Sequence, residues 1–148
     1  MKPYFHKVQY YETDKMGITH HSNYIRWMEE ARTDFLDQIG WSYDRMESIG
    51  ICSPVLSVSC RYCNPTTYGD TVEIEASVKE YRGVQLQVSY VMKKADGTTV
   101  CEAESTHCFL DGKGHFVRMK RDFPELHEVL TALAGQEEKQ TGPTASDL

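Results

Sequence analysis

Ser22-Asn23-Tyr24-Ile25-Arg26-Trp27-Met28-Glu29-Glu30-Ala31-Arg32-Thr33-Asp34-Phe35-Leu36-Asp37-Gln38-Ile39-Gly40 is the stretch that decides the fold. Tyr24, Met28, Ala31, Phe35 and Ile39 recur at the 3.6-residue period of a helix with one apolar face, and Gly40 is a stop signal just past them. The period predicts a helix of roughly four to five turns, capped by Ser22 or Asn23. Arg32 falls inside the apolar stripe, between Ile25 and Ile39. A guanidinium facing the core is costly unless paired, and Glu29, three residues earlier, is the partner within reach.

Upstream, residues 4–12 are rich in aromatics and Val and read as a first strand, followed by a turn over residues 14–21. Downstream, a short helix is expected over residues 42–49, between Gly40 and Gly50. Strands then follow. Residues 55–60 lead into the Asn64-Pro65 turn, and Val72, Ile74, Ala76 and Val78 alternate with polar residues as a half-exposed strand does. Val84 to Met92 alternates likewise up to Asp96-Gly97, the strongest hairpin signal in the chain. Residues 98–110 form a third long strand and 115–119 a last short one. Asp122-Phe123-Pro124 opens a terminal helix, with Pro where its missing N–H does no harm.

From Gly135 onward the composition loses its apolar period, so residues 135–148 read as a disordered tail behind a single domain of residues 1–134. One long amphipathic helix beside an antiparallel meander has an evident packing solution: an α+β domain whose sheet curls around the helix. The free edges of such a sheet make pairing with a second subunit a natural expectation.

The 148 residues suffice for one core. With 40% hydrophobic and 26% charged residues the composition is that of a globular protein. No apolar run approaches the roughly 18 residues of a membrane span, and residues 1–6 lack the apolar stretch of a signal peptide, which makes the cytoplasm the default location. The five cysteines are an odd count suited to reduced thiols, and Cys60-Arg61-Tyr62-Cys63 lies in a strand, where residues three apart face opposite sides. A net charge of −6 argues against a nucleic-acid partner.

The chemistry concentrates in Tyr10-Tyr11-Glu12-Thr13-Asp14-Lys15-Met16-Gly17-Ile18-Thr19-His20-His21-Ser22-Asn23-Tyr24, followed by Glu29-Glu30-Ala31-Arg32. A helix start presents free N–H groups and partial positive charge, which suits an oxygen that turns negative in a transition state. A carboxylate in the turn before it can act as general base or as nucleophile. Asp14 is therefore the candidate catalytic residue. Adjacent His20 and His21 do not share a face, so no metal is expected, and no dissociable cofactor.

Asp14 with Gly17, His21 and Tyr24 at these spacings, then Glu29 and Ala31-Arg32, resembles the 4-hydroxybenzoyl-CoA thioesterase family, especially the bacterial acyl-CoA thioesterases associated with the Tol-Pal system. The resemblance continues more loosely through Asn64-Pro65, Asp70 and Tyr81-Arg82-Gly83. It implies a hot-dog fold, hydrolysis of an acyl-CoA thioester to free acid and coenzyme A, and an active site shared between the subunits of a homodimer or homotetramer. It also implies that Asp14 is catalytic and that the backbone amide of His21 polarises the thioester carbonyl. Met16 departs from a commonly small position and Thr19 from an apolar one, which bears on acyl specificity. Gly17, Tyr24, Arg82 and Gly83 are the expected substrate contacts. For the phosphates of coenzyme A, Arg118-Met119-Lys120-Arg121 is the nearest thing to a basic cluster, with Arg82 and Lys79 as further candidates. Two alternatives stand beside this reading: a thioesterase acting on acyl carrier protein, and an acyl-CoA-binding module without turnover.

Overall fold

The computed structural model describes residues 1–140. Its long helix, α1, spans Ser22–Gln38 and buries Tyr24, Trp27, Met28, Ala31, Arg32, Phe35 and Leu36. The chain begins with β1 (Tyr4–Lys7), and α1 is followed by α2 (Tyr43–Ser48), β2 (Ile51–Cys52), β3 (Val55–Tyr62), β4 (Thr71–Tyr81), β5 (Gln85–Lys94) and β6 (Thr99–Cys108). The described chain ends with β7 (Leu110–Asp111), α3 (Met119–Asp122) and α4 (Pro124–Gln140).

Five strands form one antiparallel sheet in the order β1-β4-β5-β6-β3. Its inner face carries Val72, Ile74 and Val78 of β4 and Leu86, Val88, Tyr90 and Met92 of β5, all buried. The helix α1 touches both β1 and β3, the two outermost strands. A flat sheet could not bring both edges to one helix, so the sheet wraps around it. β5 and most of β4 contribute alternate residues to the wrapped core, whereas β3 is exposed almost throughout.

Several expectations from sequence need correction. The first strand stops at Lys7, because Tyr10–Glu12 turn into a 3₁₀ helix whose Glu12 is buried. β3 does not sit beside β4: it pairs with β6 on the far side of the sheet, Cys60 opposite Ala103. No strand forms over residues 115–119. Leu110 and Asp111 pair instead with Cys52 and Ile51, leaving a single Leu110–Phe116 bridge before α3 begins. Residues 135–140, expected as tail, continue α4 to Gln140. Gln136, Glu137, Glu138, Lys139 and Gln140 are strong helix formers, and together they outweigh the roughly 1 kcal/mol that Gly135 costs. Residues 141–148 lie outside the described part. No helix among the described residues is long and apolar enough to cross a membrane.

Neither Ser22 nor Asn23 caps α1; His21 holds that position. The Asn23 amide is committed elsewhere, donating to the carbonyls of Glu12 (3.0 Å) and His20 (3.2 Å). Glu29 is exposed and does not meet Arg32. The guanidinium donates to Tyr43 Oη (2.9 Å) and Tyr90 Oη (3.1 Å), tying α1 to α2 and β5. Of the strand cysteines, Cys60 faces inward with its thiol 3.6 Å from Met28 Sδ, whereas Cys63 is exposed.

Candidate active site

Between the 3₁₀ turn and α1 the chain makes a tight loop that carries Asp14. Thr13 and Thr19 bridge across its base, Asp14 N–H donates to the Ile18 carbonyl (2.9 Å), and Gly17 N–H donates to the Asp14 carbonyl (3.0 Å). Gly17 has φ +79°, a left-handed conformation that glycine adopts without strain. Asp14 Oδ1 accepts from Met16 N–H at 2.8 Å, which leaves Oδ2 available. The loop is anchored to the segment before β4: Thr19 N–H donates to the Thr66 carbonyl (2.9 Å), and their hydroxyls meet at 2.6 Å.

The start of α1 lies against this loop. Most amides there are spent: His20 N–H on the Glu12 carbonyl, Ser22 N–H on His20 Nδ1, Asn23 N–H on the His20 carbonyl, Tyr24 N–H on the His21 carbonyl. The amide of His21 has no acceptor among the described residues. It sits at the positive end of a 17-residue helix, where a developing oxyanion is favoured. Asp14 and His21 line one cleft of about 420 Å³, together with Met16, Tyr62, Asn64 and Pro65. Asp14 also borders a larger cleft of about 800 Å³, walled by Arg26, Glu29 and Glu30. Only the smaller of the two is lined by both Asp14 and His21.

The structure sorts the other expected contacts. Gly17 shapes the loop. Tyr24 borders the cleft but is buried, with its hydroxyl 3.0 Å from Thr66 Oγ1, and burial pushes its pKa upward. Thr19 also lines the cleft but is buried, with its hydroxyl spent on Thr66, so of the two departing positions Met16 is the exposed one. Arg82 and Gly83 follow the far end of β4, an eleven-residue strand whose near end adjoins the Asp14 loop. At roughly 3.3 Å per residue β4 is on the order of 35 Å long, and its length separates them from the Asp14 loop within one protomer. Arg82 pairs with Glu80 (2.9 Å), Gly83 (φ +89°) packs near His127, Lys79 pairs with Glu104, and Arg121 pairs with Asp122.

One residue behind the site lies within the stretch singled out by sequence but was given no role there. Glu12, 4% exposed, accepts from Gln9 N–H (2.8 Å) and Trp27 Nε1–H (2.7 Å) and bonds His6 Nε2 (2.8 Å). Its own carbonyl receives His20 N–H and the Asn23 amide. It thus fixes the loop that carries Asp14 to β1 and to the first turns of α1. Burial pushes its pKa up, but the Gln9 N–H, His6 and Trp27 more than offset this and hold the carboxyl below its ordinary range. Glutamates are rarely buried, and although Gln9 and His6 lie three and six residues away, nothing in their types marks Glu12 as buried.

The model of the thioesterase-like superfamily matches residues 8–133. YneP of Bacillus subtilis (strain 168), provisionally named an acyl-CoA thioesterase, is 33% identical over 122 residues, 82% of this chain and 88% of its own. YbgC of Escherichia coli O6:H1, named an acyl-CoA thioester hydrolase, is 28% identical over 98 residues, 66% of this chain and 73% of its own. The crystal structure of DHNA-CoA thioesterase from Staphylococcus aureus superposes with a TM-score of 0.87 at 28% identity, covering 97% of this chain and 96% of that one.

Proposed function

The chain belongs to the thioesterase-like superfamily and has its hot-dog fold, and from that premise we propose that it hydrolyses acyl-CoA thioesters to the free acid and coenzyme A. The observation that carries this reading is that Asp14 and His21, whose amide has no acceptor among the described residues, line one cleft. A thioester carbonyl seated between them accepts the His21 N–H, and its oxygen gains charge at the positive end of α1. One such donor is worth about 3 kcal/mol in a transition state. Asp14 Oδ2 then attacks the carbonyl carbon or takes a proton from the water that does. The spacing of Asp14, Gly17, His21 and Tyr24 supports kinship with the 4-hydroxybenzoyl-CoA thioesterases and their Tol-Pal-associated relatives. The reading places the protein in the cytoplasm, where acyl-CoA is made.

A thiol-release assay over short, long and aromatic acyl-CoAs, with acyl carrier protein thioesters beside them, tests the proposal. Turnover of at least one acyl-CoA is expected. Turnover of carrier-protein thioesters alone redirects the substrate class, and binding without turnover refutes the hydrolase.

The assembly follows from β3. It is an outermost strand, and Val55, Leu56, Val58 and Tyr62 are 38–52% exposed along it. An apolar open edge is suited to pairing with a second copy. Tyr62 and Cys63, at the end of β3, border the Asp14 cleft, so a partner paired there would complete the site, with Arg82 and Gly83 reaching it from the other subunit. A charge in that edge, Val58→Asp, is expected to convert the dimer to monomers in sedimentation velocity and to lower turnover at least tenfold; an unchanged dimer would exclude this edge.

A further inference from the structure

The free amide of His21 belongs to the peptide that joins His20 to His21. That peptide is trans, so its carbonyl and its N–H point opposite ways. Whatever holds the carbonyl therefore aims the N–H. The His20 carbonyl accepts twice from a single residue, from the backbone N–H of Asn23 (3.0 Å) and from Asn23 Nδ2 (3.2 Å). Asn23 Nδ2 also donates to the Glu12 carbonyl (3.0 Å), which receives His20 N–H at 2.8 Å as well.

Both protons of the Asn23 side-chain amide are thus spent on backbone carbonyls. Carbonyls only accept, so the amide has one workable orientation, with NH₂ toward Glu12 and His20. This is not a helix cap. A capping side chain offers an oxygen to the N–H groups of the first turn, whereas Asn23 donates to carbonyls that precede α1.

Glu12 and His20 bracket the loop that carries Asp14. One half-buried side chain therefore ties the two ends of that loop to each other and to the peptide with the free N–H. His20 and Asn23 border the larger cleft, while His21 borders the smaller one with Asp14. With its carbonyl turned toward Asn23, the peptide turns its N–H away from Asn23. Without Nδ2 the His20 carbonyl keeps only the Asn23 N–H, and its link to the Glu12 end of the loop is gone. The Thr13–Thr19 bridge still closes the base of the loop, so the fold should survive the replacement.

We propose that Asn23 is a positioning residue for thioester hydrolysis: its side-chain amide holds the peptide between His20 and His21 so that the His21 N–H meets the thioester carbonyl in register with Asp14. The proposal rests on the hydrolase reading above.

Its test compares kcat and KM of wild type, Asn23→Ala and Asn23→Asp on an acyl-CoA that the wild type hydrolyses, at a temperature where circular dichroism shows each protein folded. Asn23→Ala is expected to lower kcat roughly 10- to 100-fold with KM within about twofold of wild type, because misplacing a reacting group by an ångström costs up to about 10² in rate. Asn23→Asp sets an oxygen against both carbonyls and should lower kcat at least as far. Should it fail to fold, Asn23→Ala, which introduces no repulsion, decides alone. The second readout is the infrared stretching band of the thioester carbonyl in bound acyl-CoA, recorded with Asp14→Asn so that the ester persists. The His21 N–H polarises that carbonyl, so the band is expected below its position in free acyl-CoA. Adding Asn23→Ala should return it toward the free position. An unchanged kcat, a loss confined to KM, or a band that Asn23→Ala leaves in place overturns the proposal. A wild type that turns over no acyl-CoA refutes the hydrolase reading instead, and the band then decides the role of Asn23.

Discussion

Asp14→Asn is expected to lower acyl-CoA turnover by about 10³-fold, the middle of the range for removing a positioned general base or nucleophile, while leaving the fold intact. The asparagine side chain keeps the oxygen that accepts Met16 N–H at 2.8 Å, so the tight turn over residues 14–17 survives. What is lost is the negative charge of a residue that lines the cleft shared with His21. Asp14 is half-exposed and has no ion pair among the described residues, so stability should change by no more than about 0.5 kcal/mol. The His21 amide remains, and binding should persist. The loss therefore belongs in kcat, with KM close to wild type. A variant that keeps more than a tenth of wild-type kcat would remove Asp14 from the chemistry and leave the free amide without its partner.

The site was legible in sequence to the extent that it is local. Asp14, Gly17 and His21 lie within eight residues, and turn chemistry followed by a helical period places them together at a helix start. The long helix was equally legible, because Tyr24, Met28, Ala31 and Phe35 write its buried face directly. What failed were relations between distant segments. β3 and β4 are neighbours in sequence, and consecutive strands usually pair, yet β3 crosses to the far edge against β6. Glu29 seemed the partner of Arg32 because helical spacing is the only geometry a sequence displays. The actual partners, Tyr43 and Tyr90, are 11 and 58 residues away. The distance of Arg82 and Gly83 from Asp14 likewise follows from the length of β4 and its place in the sheet, which no motif encodes.

Glu12 is the clearest product of such long-range relations, and its replacement should have the largest effect on stability. Glutamine has nearly the shape of glutamate but offers one oxygen and one NH₂ group where the carboxylate offers two oxygens. Gln9 N–H, Trp27 Nε1–H and His6 converge on those oxygens at 2.7–2.8 Å. In Glu12→Gln at least one buried donor must face another donor. Hydrogen bonds to a buried charge are worth about 1.5–3 kcal/mol each, so a loss of about 3 kcal/mol is expected in urea unfolding at pH 7. The same change loosens the carbonyl that holds His20 and Asn23 at the start of α1, and with it the register of Asp14 against the His21 amide. Misplacement of a reacting group by an ångström can cost on the order of 10² in rate, so kcat should fall even at temperatures where the variant is fully folded. The pH dependence separates the charge from the shape. The Glu12 carboxyl has a folded pKa below its unfolded value of 4.5. Its contribution is therefore complete above about pH 4.5 and lost as pH falls through the lower folded value. Wild type should lose stability more steeply than Glu12→Gln below pH 4.5, and the two curves should run parallel between pH 6 and 8. Parallel curves over the whole acid range, or a variant as stable as wild type at neutral pH, would show that the buried carboxylate does not hold the loop.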